Sequence, residues 1–363
     1  MFDLELDEEQ KMLVDSIDRY TANMVNKAYR DADEEGQLPE DLVKAGWDFG
    51  LLPSSIPEEY GGFGEYSAVT GALAMEAFAY GDLALSLSIA SPGLVALPIM
   101  LAGSEDQKAK YLPSFCVEFP PHVTAALTEP NVLFDPRELT TTAQRCTDGY
   151  TLNGVKSYVP MANSADTILI YANENGHTQG FLVPGDSPGL EVGEREKLMG
   201  IRALPTYSLS LVDCHVPIEN KLGREESLDF DLILNHHRVA LGAAAVGLAK
   251  AGCVYACDYA KNRVQFGEPI AHRQSIAFML AEMAIDVDAA RLMVWETAWK
   301  LDQGEDANRE ATLMKYFVDQ MVLRVADRTV QALGGYGYIR EFPAELWLRN
   351  ARGFATFDGL AIV

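Results

Sequence analysis

The spacing of apolar positions changes period twice along the chain. Leu13, Ile17, Tyr20, Met24 and Ala28 recur every three or four residues, a helical stripe. Leu38-Pro39-Glu40-Asp41-Leu42 starts another helix, with Pro39 near the first turn, where its missing N–H costs nothing. A loop at Ile56-Pro57-Glu58-Glu59-Tyr60-Gly61-Gly62 precedes a long run rich in Ala, Leu and Met from Ala68 to Leu101. Near Pro113 the texture shifts to short alternating runs: Tyr150 to Val159, Thr167 to Tyr171, Gly180 to Pro184 and Tyr207 to Val212. Asn153-Gly154 inside the first of these is a two-residue hairpin signal. From Asp229 the helical period returns, with long helices expected over 229–261, 270–302 and 306–333. Small residues between Val239 and Ala249 allow a neighbouring helix to approach closely. The expected fold is α+β: an N-terminal helical domain over 1–115, a middle small β-barrel or sandwich over 116–226, and a C-terminal four-helix bundle over 227–363.

Composition narrows the partners. The 363 residues carry 53 acids against 29 bases, a formal net charge of −24. That balance argues against nucleic acid and against docking on an anionic membrane. No apolar run approaches the ~20 residues that span a bilayer. The acidic N-terminus lacks the basic and apolar regions of a signal peptide, so a cytoplasmic location with no membrane insertion is expected. Cys116, Cys146, Cys214, Cys253 and Cys257 form no CxxC and no zinc ligand set, and no metal is expected.

Five segments together resemble the acyl-CoA dehydrogenase family: Ile56 to Gly62; Leu127-Thr128-Glu129-Pro130; Met199-Gly200-Ile201-Arg202 with Val216 to Asn220; Arg263-Val264-Gln265-Phe266-Gly267 with Gln274; and Gln331 to Tyr338. They follow the family's order and spacing over essentially the whole chain. The resemblance implies an FAD-dependent oxidoreductase that oxidises the α,β bond of an acyl-CoA. It implies that Leu127 and Thr128 meet the flavin's pyrimidine edge, and that Tyr158 and Val159 lie against its ring. Arg263, Phe266, Gln274, Gln331, Gly334 and Gly335 would bind FAD across a subunit interface. Phe134, Asn235, Arg238, Asp358 and Gly359 would face the substrate, with Asp358 as the catalytic base. Electron-transferring flavoprotein is the implied electron acceptor, and a homotetramer, or a heteromer with a related subunit, the implied assembly.

The chain also departs from the family. Asp358 stands where a longer Glu is usual, drawing the carboxylate back by roughly one C–C bond; a shift of ~1 Å can cost ~10²-fold in rate. Phe134 replaces a small polar residue, Pro160 replaces a Thr donor near flavin N5, and Leu360 replaces a Thr or Ser. His236 and His237 invite an acid–base role, and His237 falls where some relatives place their base, although a His pair on a helix is more often a solvated or packed face. The leading reading is an acyl-CoA dehydrogenase with a remodelled pocket. A weakened or non-catalytic subunit of a heteromeric pair, and a flavoprotein with non-dehydrogenating chemistry, remain as alternatives.

Overall fold

The computed structural model describes residues 5–224 and 228–354. The predicted base Asp358 and its neighbour Gly359 therefore lie outside the described residues, as does Leu360.

The first helical stripe forms α1 (Glu8–Tyr20), a π turn (Thr21–Val25) and α2 (Asn26–Glu35). Asp7 and Gln10 close a capping box at the start of α1. Pro39 caps α3 (Glu40–Trp47), followed by α4 (Leu51–Ser55). The Ala/Leu/Met run is three helices, α5 (Ala68–Gly81), α6 (Leu83–Ala90) and α7 (Gly93–Ala102). Asp82 makes the first break: it is extended, and its carboxylate accepts from Leu85 N at 2.8 Å to cap α6. The capped α8 (Glu105–Tyr111) leads to the sheet.

Seven strands follow: β1 (Val123–Ala126), β2 (Thr142–Arg145), β3 (Gly149–Pro160), β4 (Thr167–Glu174), β5 (His177–Pro184), β6 (Leu190–Arg195) and β7 (Thr206–Pro217). They pair in the order β1-β4-β2-β3-β7-β6, with β5 antiparallel to β4. Tyr150, Leu152, Ile168, Ile170, Phe181 and Val216 belong to a core of the sheet's own. The hairpin expected at Asn153-Gly154 is not there. Both residues lie inside β3, and the chain reverses at Cys146–Gly149, where Cys146 N donates to Gly149 O. Glycine is needed at 154 because Thr141 crosses closely: a Cβ would come within 2.6 Å of the Thr141 Cα.

The last part holds α9 (Phe230–Asn262), a two-residue ribbon of β8 (Val264–Gln265) and β9 (Glu268–Pro269), α10 (Gln274–Asp302) and α11 (Asn308–Leu333), then α12 (Gly335–Tyr338) and α13 (Ala344–Phe354). Among the described residues the three long helices are α9, α10 and α11, with α5 of the N-terminal part lying against α9 and α10, and α13 against α11 and α9. The small-residue stretch lets α5 in: a Cβ on Gly247 would sit 2.2 Å from Glu76 O. By length and composition α9 could cross a bilayer, with mean hydropathy 1.6 over its most apolar window, but 78% of that window is buried inside the protein. One large core joins the N- and C-terminal helices.

Candidate active site

The turn after β1 is held from below by a buried ion pair. Lys156, on β3, has no solvent contact, and its Nζ donates to Glu129 Oε1 at 2.9 Å and to Leu127 O at 3.0 Å. Glu129 also accepts from Thr140 N and from Thr141 N. Burial would raise this carboxyl, but Lys156 and the two threonines overcome it and hold the pKa at about 2. Burial pulls the Lys156 ammonium down to about 8 against the pull of Glu129. Both groups are charged at neutral pH, so the pair fixes the carbonyl of Leu127 and the carboxylate of Glu129 on either side of Thr128.

Thr128 is further set by Ser157 N, which donates to its carbonyl at 2.9 Å. Its side-chain oxygen is buried and has no hydrogen-bond partner among the described residues. The pairing of β3 with β7 is irregular between Lys156 and Val159, and Tyr158 there takes a φ of 56°, rare outside glycine. The half-buried Tyr158 ring packs against the helical core while Val159 is buried in the sheet. Leu127, Thr128, Tyr158 and Val159 are thus brought to one place. Pro160 sits opposite Thr206 at the end of β3 and offers no N–H. The unpaired Thr128 hydroxyl is the observation that fits a flavin here: a buried hydroxyl without a partner costs free energy that a ligand's polar edge recovers.

The remaining predicted FAD residues lie elsewhere. Arg263 caps the C-terminal end of α9 with its guanidinium 5.1 Å from the Tyr336 ring centroid. Gln274 begins α10, Gln331 is exposed near the end of α11, and Phe266 is 92% exposed. Gly334 has φ 59° and ψ −130°, a conformation essentially confined to glycine. A Cβ on Gly334 or Gly335 would meet nothing within 4 Å, so this backbone is open to an approaching group. Arg238 and Arg263 are 25 residues apart on α9, about 37 Å along its axis. Arg263 therefore lies far along α9 from Arg238.

At the other end of α9, which meets the sheet through Phe230 and Tyr171 with ring centroids 5.4 Å apart, Asn235 and Arg238 are both buried. Asn235 Nδ2 donates to Asn308 Oδ1 at 2.7 Å, and Arg238 Nη1 to Thr312 Oγ1 at 3.3 Å. Phe134 is half-buried against the helical core. His236 and His237 line a cavity of about 140 Å³ between α9 and the N-terminal helices, walled by Met75, Phe78, Ile89 and Leu97 among others. Tyr66, which the sequence pattern did not single out, closes this wall with its hydroxyl 3.0 Å from His236 Nδ1.

The helix that leads toward Asp358 is firmly held. Arg349 Nη2 donates to Asp33 Oδ2 at 2.7 Å, tying α13 to α2, and Nη1 donates to Met199 O. Asn350 Oδ1 accepts from Ile201 N at 2.7 Å. Gly200 passes so close that a Cβ would lie 2.0 Å from Arg349 O, which explains the glycine of the Met199-to-Arg202 segment.

The sequence spacing also hid a surface group. The ligand atoms of Cys146, Asp148 and His215 lie within 4.8 Å of one another, at the β2–β3 turn and on β7. The site is empty.

Three family models match in chain order: the acyl-CoA dehydrogenase N-terminal domain over 7–118, the middle domain over 124–214 and the C-terminal domain over 231–361. The chain is 33% identical to an acyl-CoA dehydrogenase of Bacillus subtilis, covering 97% of this chain and 94% of that protein. It is 33% identical to the subunit CarC of the caffeyl-CoA reductase-Etf complex of Acetobacterium woodii, covering 92% and 89%. Among solved structures, the FAD complex of PigA superposes with a TM-score of 0.90 at 27% identity, covering 99% and 96%.

Proposed function

The chain belongs to the acyl-CoA dehydrogenase family, and from that premise we propose that it oxidises the α,β bond of an acyl-CoA thioester with Asp358 as the α-proton base. As a member it is an oxidoreductase acting on acyl-CoA and uses FAD. The observation that carries the reading on this chain is the buried, unpaired Thr128 hydroxyl in a turn locked by Lys156 and Glu129.

Leu127, Thr128, Tyr158 and Val159 hold the flavin end of the cofactor. Bound FAD supplies the two-electron acceptor for the hydride that leaves Cβ. The tasks left to the protein are to exclude water, to orient the thioester and to take the α-proton. The acyl group enters the cavity between α9 and the N-terminal helices, whose apolar walls desolvate it. Asn235, Arg238 and Phe134 bound the substrate on the α9 side. Asp358, on the segment that α13 leads into, takes the proton; desolvation by the acyl chain raises its pKa toward that of a useful base.

Arg263, Phe266, Gln274, Gln331, Gly334 and Gly335 complete the FAD site of a neighbouring subunit, since about 37 Å separates Arg263 from the α9 end of this chain's own pocket. A homotetramer or a heteromer with a related subunit both provide that arrangement. Electrons then pass to an electron-transferring flavoprotein, in keeping with the Etf complex to which CarC belongs.

The test is the visible spectrum of the protein expressed alone, followed by anaerobic titration with a panel of acyl-CoA thioesters. A yellow protein bleached by at least one thioester is the expected result. A colourless protein that gains flavin only with a co-expressed relative would make it the weakened member of a pair. Bound flavin that no acyl-CoA bleaches would remove the dehydrogenase reading.

A further inference from the structure

The cavity beside α9 is almost wholly apolar, yet one polar pair is built into its wall. Tyr66 and His236 meet at 3.0 Å with their rings edge to face, centroids 5.2 Å apart. His236 is only 5% exposed. Burial drives its imidazole down to about 4, and burial, with Asp302 nearby, pushes the Tyr66 phenol up. Both groups are therefore neutral at pH 7.

Two neutral groups of this kind hold two protons, one on oxygen and one on a ring nitrogen. Their mutual hydrogen bond uses only one. If the Tyr66 O–H donates to Nδ1, the His236 Nε2–H is left over; in the other tautomer the Tyr66 O–H is left over. No other hydrogen bond is made by either group among the described residues. In both cases one donor on the cavity wall is left without a partner among the described residues, free to bond a polar atom of a ligand.

The chamber's size limits what can answer it. A cavity of about 140 Å³ is close to the ~150 Å³ that accepts a benzene molecule. That volume matches a six-membered ring or a short branched group.

Resting on the acyl-CoA reading above, we propose that the Tyr66–His236 pair is a specificity device that selects an acyl group with a compact, ring-sized end carrying a hydrogen-bond acceptor such as a carbonyl oxygen. An all-hydrocarbon acyl group of the same size leaves the donor unsatisfied and binds more weakly. Sites built to hydrogen-bond a ligand discriminate strongly against the analogue that lacks the group, because their own polar atoms are then stranded.

The experiment compares two thioesters of matched shape, 3-(4-oxocyclohexyl)propanoyl-CoA and 3-(4-methylcyclohexyl)propanoyl-CoA. Affinity for the FAD-loaded protein is measured by calorimetry, and flavin bleaching is followed separately. The unaltered protein should bind the oxo compound at least tenfold more tightly. The substitution that removes the leftover donor, His236→Phe in the first tautomer or Tyr66→Phe in the second, should abolish or reverse that preference while methyl-compound binding stays within a few-fold. Equal or reversed affinity in the unaltered protein overturns the proposal, as does a preference that survives both substitutions. If neither ring compound binds while a straight-chain acyl-CoA bleaches the flavin, the proposal fails and the dehydrogenase reading stands. If the oxo preference appears but no thioester bleaches the flavin, the polar pair stands and the reaction assigned above fails.

Discussion

Lys156 and Glu129 form an ion pair of 2.9 Å in which the side chains are 0% and 2% exposed. They come from different strands' neighbourhoods, 27 residues apart, and meet directly beneath Thr128. A charge pair this dry persists only when its remaining hydrogen-bonding capacity is met. Leu127 O, Thr140 and Thr141 meet it.

Removing one partner strands the other. Lys156→Met leaves a buried carboxylate without its cation and should destabilise the protein by about 3–5 kcal/mol. The Lys156→Met, Glu129→Gln double variant should recover part of that loss. Urea unfolding of the three proteins checks both statements, and the single variant should also lose FAD.

The same pair gives the protein an acid limit. The Glu129 carboxyl titrates at about 2 in the fold against an ordinary value of 4.5, because Lys156 and the threonine donors favour its charged form. A folded pKa below the unfolded one contributes stability that is complete above about pH 4.5 and is lost as pH falls toward 2. Stability measured between pH 5 and pH 2 should fall, and Glu129→Gln should show a shallower decline over that window. An unchanged slope would remove Glu129 from the account.

Thr128 separates cofactor binding from folding. Its buried hydroxyl has no partner among the described residues, so Thr128→Val, which keeps the shape, should leave the apoprotein as stable or slightly more stable. FAD affinity should drop about tenfold, the value of one hydrogen bond of ~1.4 kcal/mol. Equilibrium flavin titration of the two apoproteins reads this directly.

Gly200 tests how the base is carried. Any side chain there collides with Arg349 O, a backbone atom. Gly200→Ala should destabilise the protein by about 1–3 kcal/mol and should lower turnover more than flavin content, because it displaces α13, the helix leading toward Asp358.

The sequence made some of this legible and hid the rest for identifiable reasons. The helical periods placed the long helices within a few residues: 229–261 was expected and Phe230–Asn262 is observed, because apolar periodicity over about nine turns outweighs local noise. Thr128 and Tyr158 stand out in the sequence because their motifs are local, and the structure brings them to one place. Asn153-Gly154 misled, since glycine there answers a crossing strand rather than a turn. Lys156 was unmarked because its partner is distant in sequence. Tyr66 was missed for the same reason: 170 residues separate it from His236. Neither period nor motif encodes such pairings; they appear only when the helices and sheet are assembled.

The role of Asp358 as base is the centre of the account. Anaerobic addition of a thioester that bleaches the unaltered, yellow protein to the Asp358→Asn variant tests it most directly. The account predicts a variant that keeps its FAD and its affinity for the thioester but loses bleaching by 10³-fold or more, in keeping with the ~10²–10⁴-fold that a positioned general base contributes. Bleaching at an undiminished rate would contradict it and move the base to another residue.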